Sequence, residues 1–259
     1  MDGKLSRRDV LTRAAVLGAG AVFGGLTTSA AKASEAESLM KQWPWPYEKL
    51  DPAVTAEIAY NEWYNLGCGG TVIHSVFEQL AEIVGEPYKS FPVESFAIFE
   101  GGMAGWGTIC GSVNGASVVA ALIVGPPTWE EISAIIASNT MDWYSHANMP
   151  LYVPQEPRAN KDSIVQTVSD SPLCHVSVGK WMKASGFSLG SDERQDRCAR
   201  VSASVAYKLV EKLNEWKDQG EDFFEEKAWS GPKKSGITAQ YNCASCHGEN
   251  VPKPPLAKK

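Results

Sequence analysis

Apolar residues recur at helical spacing along most of this 259-residue chain. Val72, Ile73, Val76, Phe77, Leu80 and Ile83 follow the i, i+3, i+4, i+7 rhythm. They predict an amphipathic helix that ends before Gly85. Cys198, Val201, Val205, Leu209 and Leu213 make a second stripe, in a helix predicted from about Asp192 to Trp216 and capped by Ser191. Asp51-Pro52 reads as the N-cap and first residue of another helix, running to about Asn65. Gly67-Cys68-Gly69-Gly70 then interrupts the chain before the Val72 stripe. Residues 116–124 predict a buried helix. Thr128-Trp129-Glu130-Glu131 is a capping box opening a helix to about Tyr144. Ser171-Pro172 opens a further helix carrying Cys174 and His175. There is no period-two alternation of any length and no internal repeat. The expected fold is mainly α, with a single helical domain over 34–220 and an irregular C-terminal extension over 221–259.

The connecting segments carry their own signals. Gln42-Trp43-Pro44-Trp45-Pro46-Tyr47 is held extended by its prolines and is expected to lie on the core as an aromatic clasp. Residues 101–116 hold six glycines around Cys110, a composition that lets backbone approach another group closely. A proline-rich loop follows His146.

Residues 1–33 read as a leader. Ser6-Arg7-Arg8-Asp9-Val10-Leu11 is a twin-arginine motif, followed by a Gly/Ala-rich apolar stretch and the A-x-A site Ala31-Lys32-Ala33. The apolar stretch is too short and glycine-rich for a membrane anchor. The expectation is export by the Tat route to a periplasm, with no stable membrane anchor. Tat carries folded chains, so the leader hints at a cofactor loaded in the cytoplasm. The chain has a net charge of −6, and the leader contributes five basic residues against two acidic ones. An acidic mature surface argues against nucleic acid and anionic lipid, and is compatible with a basic redox partner protein.

Cys243-Ala244-Ser245-Cys246-His247 is a C-x-x-C-H run, the attachment signature of a c-type haem. Cys243 and Cys246 can form thioethers to the two vinyl groups of one haem, which sets His247 under the iron as proximal ligand. A C-x-x-C redox pair or half of a zinc site is the plainer alternative.

Four of the six cysteines remain: Cys68, Cys110, Cys174 and Cys198. Four thiolates suit a [2Fe–2S] or [4Fe–4S] cluster, and also structural zinc. In an oxidising compartment they would equally make two disulfides. Their spacing matches no compact ferredoxin or zinc-finger pattern. Cys68 and Cys110 sit beside glycines, Cys174 lies in a first helical turn, and Cys198 lies on a core-facing stripe.

Leu66-Gly67-Cys68-Gly69, then residues 100–107 running into Cys110-Gly111, then Ser171-Pro172-Leu173-Cys174-His175, then Glu193-Arg194 with Arg197-Cys198, resemble the C-GCAxxG-C-C family of redox proteins. The resemblance runs from about Asn61, and the terminal C-x-x-C-H points to the haem-bearing branch of that family. It implies a Tat-exported homodimer of mostly helical subunits, haems with two histidine ligands packed close across the dimer, and an iron–sulfur centre. Under it, Cys68, Cys110, Cys174 and Cys198 become the cluster-ligand candidates. One departure is Gly69, where the family name expects alanine.

His247 supplies only one axial ligand. Of His74, His146 and His175, the distal candidates are His175, by its place in the family-like motif, and His146, which enters the proline-rich loop. His74 lies off its apolar stripe and reads as a surface residue. Met149 is a further option. The leading reading is an exported electron-transfer cytochrome with one covalent haem c per chain and an iron–sulfur cluster. The alternative is a haem-dependent reductase or peroxidase with an open sixth position. No nucleophile–base pair, phosphate loop or hydrolytic metal motif is present.

Overall fold

Asp51 begins the helical body as the sequence predicts. Its carboxylate accepts the Ala53 N–H at 2.8 Å, and Pro52 takes the first helical position. The computed structural model describes residues 40–126 and 131–223, with the isolated positions 38, 225, 226, 228 and 248. The leader, Thr128 of the capping box, and the haem-motif residues Cys243, Cys246 and His247 lie outside the described residues.

Five α-helices build the described core: α1 Pro52–Ile83, α2 Gly111–Val124, α3 Ile132–His146, α4 Cys174–Ser185 and α5 Asp192–Gln219. Two 3-10 segments, Tyr88–Ser90 and Val93–Phe99, join α1 to the glycine-rich stretch. The mainly α fold class holds. Two two-residue strands, β1 Asn148–Met149 and β2 Thr167–Val168, pair antiparallel. They are too short to show alternation in the sequence.

α1 and α5 pack along much of their length, with α2 against both. α1 contributes Ala56, Ala59, Val72, Ile73, Val76 and Leu80, each essentially inaccessible. The α5 stripe meets them with Val205, Leu209 and Leu213, also at zero exposure. Ser191 caps α5 by accepting the Arg194 N–H at 3.2 Å. Ile83 departs from expectation. It is the last residue of α1 and stands 55% exposed.

The predicted interruption of α1 is a single-residue break. Gly67 has φ 64° and ψ −169°, and helix resumes at once through Cys68, Gly69 and Gly70. α2 starts at Gly111, earlier than the expected Ala116. Its glycines serve packing there. A Cβ on Gly115 would lie 2.5 Å from the Gly69 carbonyl oxygen, so α1 and α2 cross at a distance that only glycine allows.

The aromatic clasp forms through two of its three rings, while Trp43 stands 42% exposed. Trp45 and Tyr47 are 2% exposed. Trp45 packs its ring on Phe77, Tyr88 and Phe91, and its backbone N–H donates to the Ile123 carbonyl at 2.8 Å.

Candidate metal centre

Each of the four candidate cysteines is delivered by a different turn or helix start. Cys68 follows the Gly67 break in α1, and its sulfur accepts the Trp63 indole N–H at 3.4 Å. Cys110 is the N-cap of α2; its N–H donates to the Pro172 carbonyl at 2.8 Å. Cys174 is the first residue of α4; its N–H donates to the Thr108 carbonyl at 2.7 Å. Ile109 and Leu173 pair antiparallel between these two bonds. The glycine-rich stretch and the segment leading into α4 therefore run side by side, carrying Cys110 and Cys174 on neighbouring segments. Cys198 comes from the second turn of α5.

The glycines do what their composition predicts. A Cβ on Gly111 would lie 2.9 Å from that of Cys68, one on Gly102 2.9 Å from that of Cys174, and one on Gly107 2.9 Å from that of His175. Gly69 is equally constrained: a Cβ there would meet Phe99 Cδ2 at 2.6 Å and the Gly111 carbonyl oxygen at 2.8 Å. That explains glycine where the family name has alanine.

All four thiols are free, and Cys68, Cys110 and Cys198 are buried. The two-disulfide alternative is not the arrangement of this fold. A cavity of about 640 Å³ is walled by Cys68, Cys174 and Cys198, together with His175, Arg194 and Glu100. Cys110 does not line it. The thiols feel one another. Burial pushes the Cys68 thiol well above its ordinary range, with Cys198 and Cys110 adding to the shift. Burial also pushes Cys174 up to about 12, reinforced by Cys110 and Cys198 and opposed by Arg197 and Arg194. With nothing bound, both thiols are neutral at pH 7.

Among the described residues, no three His, Cys, Asp or Glu side chains already stand as a metal-holding group. The donor chemistry nevertheless fits a metal–thiolate centre. The four thiols are free, three of them are buried, and Cys68 and Cys174 both feel the others. Beside them lie two buried polar atoms without hydrogen-bond partners, Arg197 Nε and the Tyr144 hydroxyl. Such orphaned groups are rare in a finished core.

The histidines separate. His175 lines the cavity and is exposed; its ring Nδ1 lies 2.8 Å from the Gly107 carbonyl oxygen. A carbonyl only accepts, so Nδ1 carries the proton and the Nε2 lone pair is left for a ligand. His146 closes α3 with its Nδ1 2.9 Å from the Asp142 carbonyl, and it does not line the cavity. His74 is paired with Glu78 at 3.1 Å.

Tyr144 is a site residue that the sequence does not single out, and Arg197 stands in the family-like Arg197-Cys198 pair without a role. A signal existed. Arg197 stands four residues before Val201 and eight before Val205, on the same buried stripe.

Residues 72–212 match the family described as "Putative redox-active protein (C_GCAxxG_C_C)". That span holds Cys110, Cys174 and Cys198, and begins four residues after Cys68. The chain is 31% identical over 254 residues to split-Soret cytochrome c of Desulfovibrio desulfuricans (strain ATCC 27774), covering 94% of this chain and 87% of that protein. It also resembles a solved structure of the split-Soret cytochrome c from D. desulfuricans ATCC 27774, described as having a novel iron centre. The TM-score is 0.67 at 31% identity, over 83% of this chain and 86% of the other. By family match and by near full-length similarity, this chain belongs to the C_GCAxxG_C_C family of redox-active proteins, with split-Soret cytochrome c as a relative along most of its length.

Proposed function

We propose that this chain is an electron-transfer cytochrome with one covalent haem c and a second, thiolate-held iron–sulfur centre. The observation that carries the reading is the set of four free thiols brought near one another from four elements, three of them lining one cavity. Nothing in a purely structural role requires free, mutually perturbing thiols there. Similarity to a cytochrome c with a novel iron centre supports it.

In this reading Cys243 and Cys246 hold the haem, and His247 is its proximal ligand. Cys68, Cys110, Cys174 and Cys198 are the cluster ligands, giving up their protons and drawing together as metal binds. Haem and cluster, when bound, each accept and release single electrons. The protein sets how readily this happens, through axial ligands, burial and hydrogen bonds to sulfur. Trp63 already donates to Cys68. His175 is the preferred distal ligand, because the Gly107 carbonyl fixes its tautomer at the cavity wall. The acidic chain suits a basic redox partner protein, and export by the Tat route, a periplasmic location and a homodimer complete the proposal.

The test is a haem count, a non-haem iron count and an acid-labile sulfide assay on one anaerobically purified sample. The reading expects one haem per chain with additional iron and sulfide. Haem with zero non-haem iron removes the second centre.

A further inference from the structure

Arg197 poses a charge problem that the rest of the fold does not solve. The residue is 1% exposed. Its Nη2 donates to Ser177 Oγ at 2.7 Å. Its Nη1 reaches only the Cys198 sulfur, at 3.9 Å, and its Nε has no partner. No carboxylate among the described residues pairs with it. A buried, always-protonated guanidinium without a counter-charge is strongly unfavourable.

The same helix shows the ordinary solution one turn away. Arg200 is also buried, and there the fold supplies Asp196 at 2.9 Å. Asp196 is completed by Tyr60 at 2.6 Å and Asn160 at 2.9 Å. A carboxylate partner for a buried arginine is therefore within this fold's means. At Arg197 the neighbours are instead Cys198, Cys110 and Tyr144. None of these is a carboxylate.

Tyr144 repeats the pattern. Its side chain is 1% exposed, its hydroxyl makes no hydrogen bond of ordinary geometry, and Cys110, Arg197 and Ser177 are the polar groups it faces. Two buried donor groups thus face the cysteines, Tyr144 from α3 toward Cys110 and Arg197 from α5 toward Cys110 and Cys198.

We propose that Arg197 is the built-in counter-charge of the four-cysteine centre, with Tyr144 as a second donor toward its sulfurs. The proposal rests on the reading that these cysteines hold an iron–sulfur cluster. Four thiolates around a [2Fe–2S] or [4Fe–4S] core make a dianion when oxidised, and one-electron reduction adds a further negative charge. A fixed cation in a low-dielectric pocket stabilises the more negative state more. Arg197 therefore raises the reduction potential of the centre as well as its affinity for metal. It is a positioning residue and ligates nothing itself.

The experiment uses the full chain, purified anaerobically, as wild type, R197M, R197K and Y144F. Non-haem iron and sulfide are counted, and the cluster is titrated with dithionite against redox dyes. R197M removes the charge at similar volume. It should lower iron affinity by about 10- to 100-fold, the usual cost of losing an outer-sphere partner. In the protein that still loads, the cluster potential should move to more negative values. R197K keeps the charge and should recover most of that shift. Y144F should give a smaller shift in the same direction and keep its iron. The iron-stripped chains supply the control. Stripped R197M should unfold at the same or higher temperature than stripped wild type, because a lone buried charge has gone.

Iron content and potential unchanged in R197M overturn the proposal, while the four-cysteine reading stands. A stripped R197M that loses as much stability as the loaded protein makes Arg197 a structural residue only, and also overturns it. Wild type without non-haem iron overturns the four-cysteine reading, and this proposal with it.

Discussion

His175 is bound twice to Gly107. Its backbone N–H and its ring Nδ1 both meet the Gly107 carbonyl oxygen, at 3.2 and 2.8 Å. Gly107 has φ 70° and faces the His175 Cβ so closely that a methyl group has no room. Gly107→Ala should therefore do more than strain a loop. The left-handed backbone and the clash together should cost about 1–3 kcal/mol. The variant should also turn the imidazole away from its present direction. Thermal unfolding reads the first effect. The haem spin state reads the second, which should match that of His175→Ala.

His175→Ala separates the electron-carrier reading from an open-site enzyme. If His175 is the sixth ligand, the wild-type ferric haem is low-spin and the ferrous haem binds carbon monoxide poorly. The variant should become high-spin and bind carbon monoxide readily. His146→Ala, at a residue held by its own helix, should leave both spectra unchanged. A wild-type haem that is high-spin and binds carbon monoxide favours the reductase or peroxidase alternative.

Much of the architecture was legible before any coordinates. The α1 and α5 stripes, the Asp51 and Ser191 caps, and the Trp45 clasp all follow from local periodicity and capping chemistry. The glycines beside Cys68 and Cys110 announced close approach without saying to what. That answer is long-range. Gly111 accommodates Cys68, and Gly102 accommodates Cys174, across more than forty residues of chain. The pairing of the 107–110 and 172–175 segments rests on one bridge, too little to leave a period in the sequence. The sequence points to a start of α2 at Ala116 because glycine is a poor helix former, a preference overridden by the Gly69–Gly115 crossing. Arg197 was legible as a cation on an apolar stripe, but its lack of a counter-ion was not, because that depends on which elements meet.

Asp196 offers a stability test independent of any cofactor. It is 0% exposed and holds Arg200, Tyr60 and Asn160 together. Asp196→Ala leaves the Arg200 charge buried without its partner, and should cost about 3–5 kcal/mol. Denaturant midpoints compared at constant slope read that loss.

Trp63→Phe probes a hydrogen bond already made to a candidate ligand, the sulfur of Cys68. The substitution keeps an aromatic ring in a site that is 4% exposed but removes the N–H donor to Cys68. The loss in stability should be about 0.5–1.5 kcal/mol. With a cluster bound, a donor to a coordinating sulfur is lost, so the cluster potential should fall as well. A potential equal to that of wild type, with iron retained, removes Cys68 from the ligand set.

The thiols make the pH dependence of stability change sign with metal content. In the iron-free chain, burial holds Cys174 protonated up to about 12 against an ordinary value of 9.0, and Cys68 is shifted the same way. The folded state thus keeps protons that the unfolded chain releases. The stability from this source is complete below pH 9 and is lost as pH rises toward 12. Metal binding requires the same thiols as thiolates, so loading releases protons, and affinity rises with pH over the neutral range. Thermal unfolding of stripped protein between pH 8 and 11 should show a falling midpoint. Iron retention against a fixed concentration of chelator should improve from pH 6 to pH 8. A stripped protein whose midpoint stays flat across the alkaline range would show that the thiols are not held neutral by the fold.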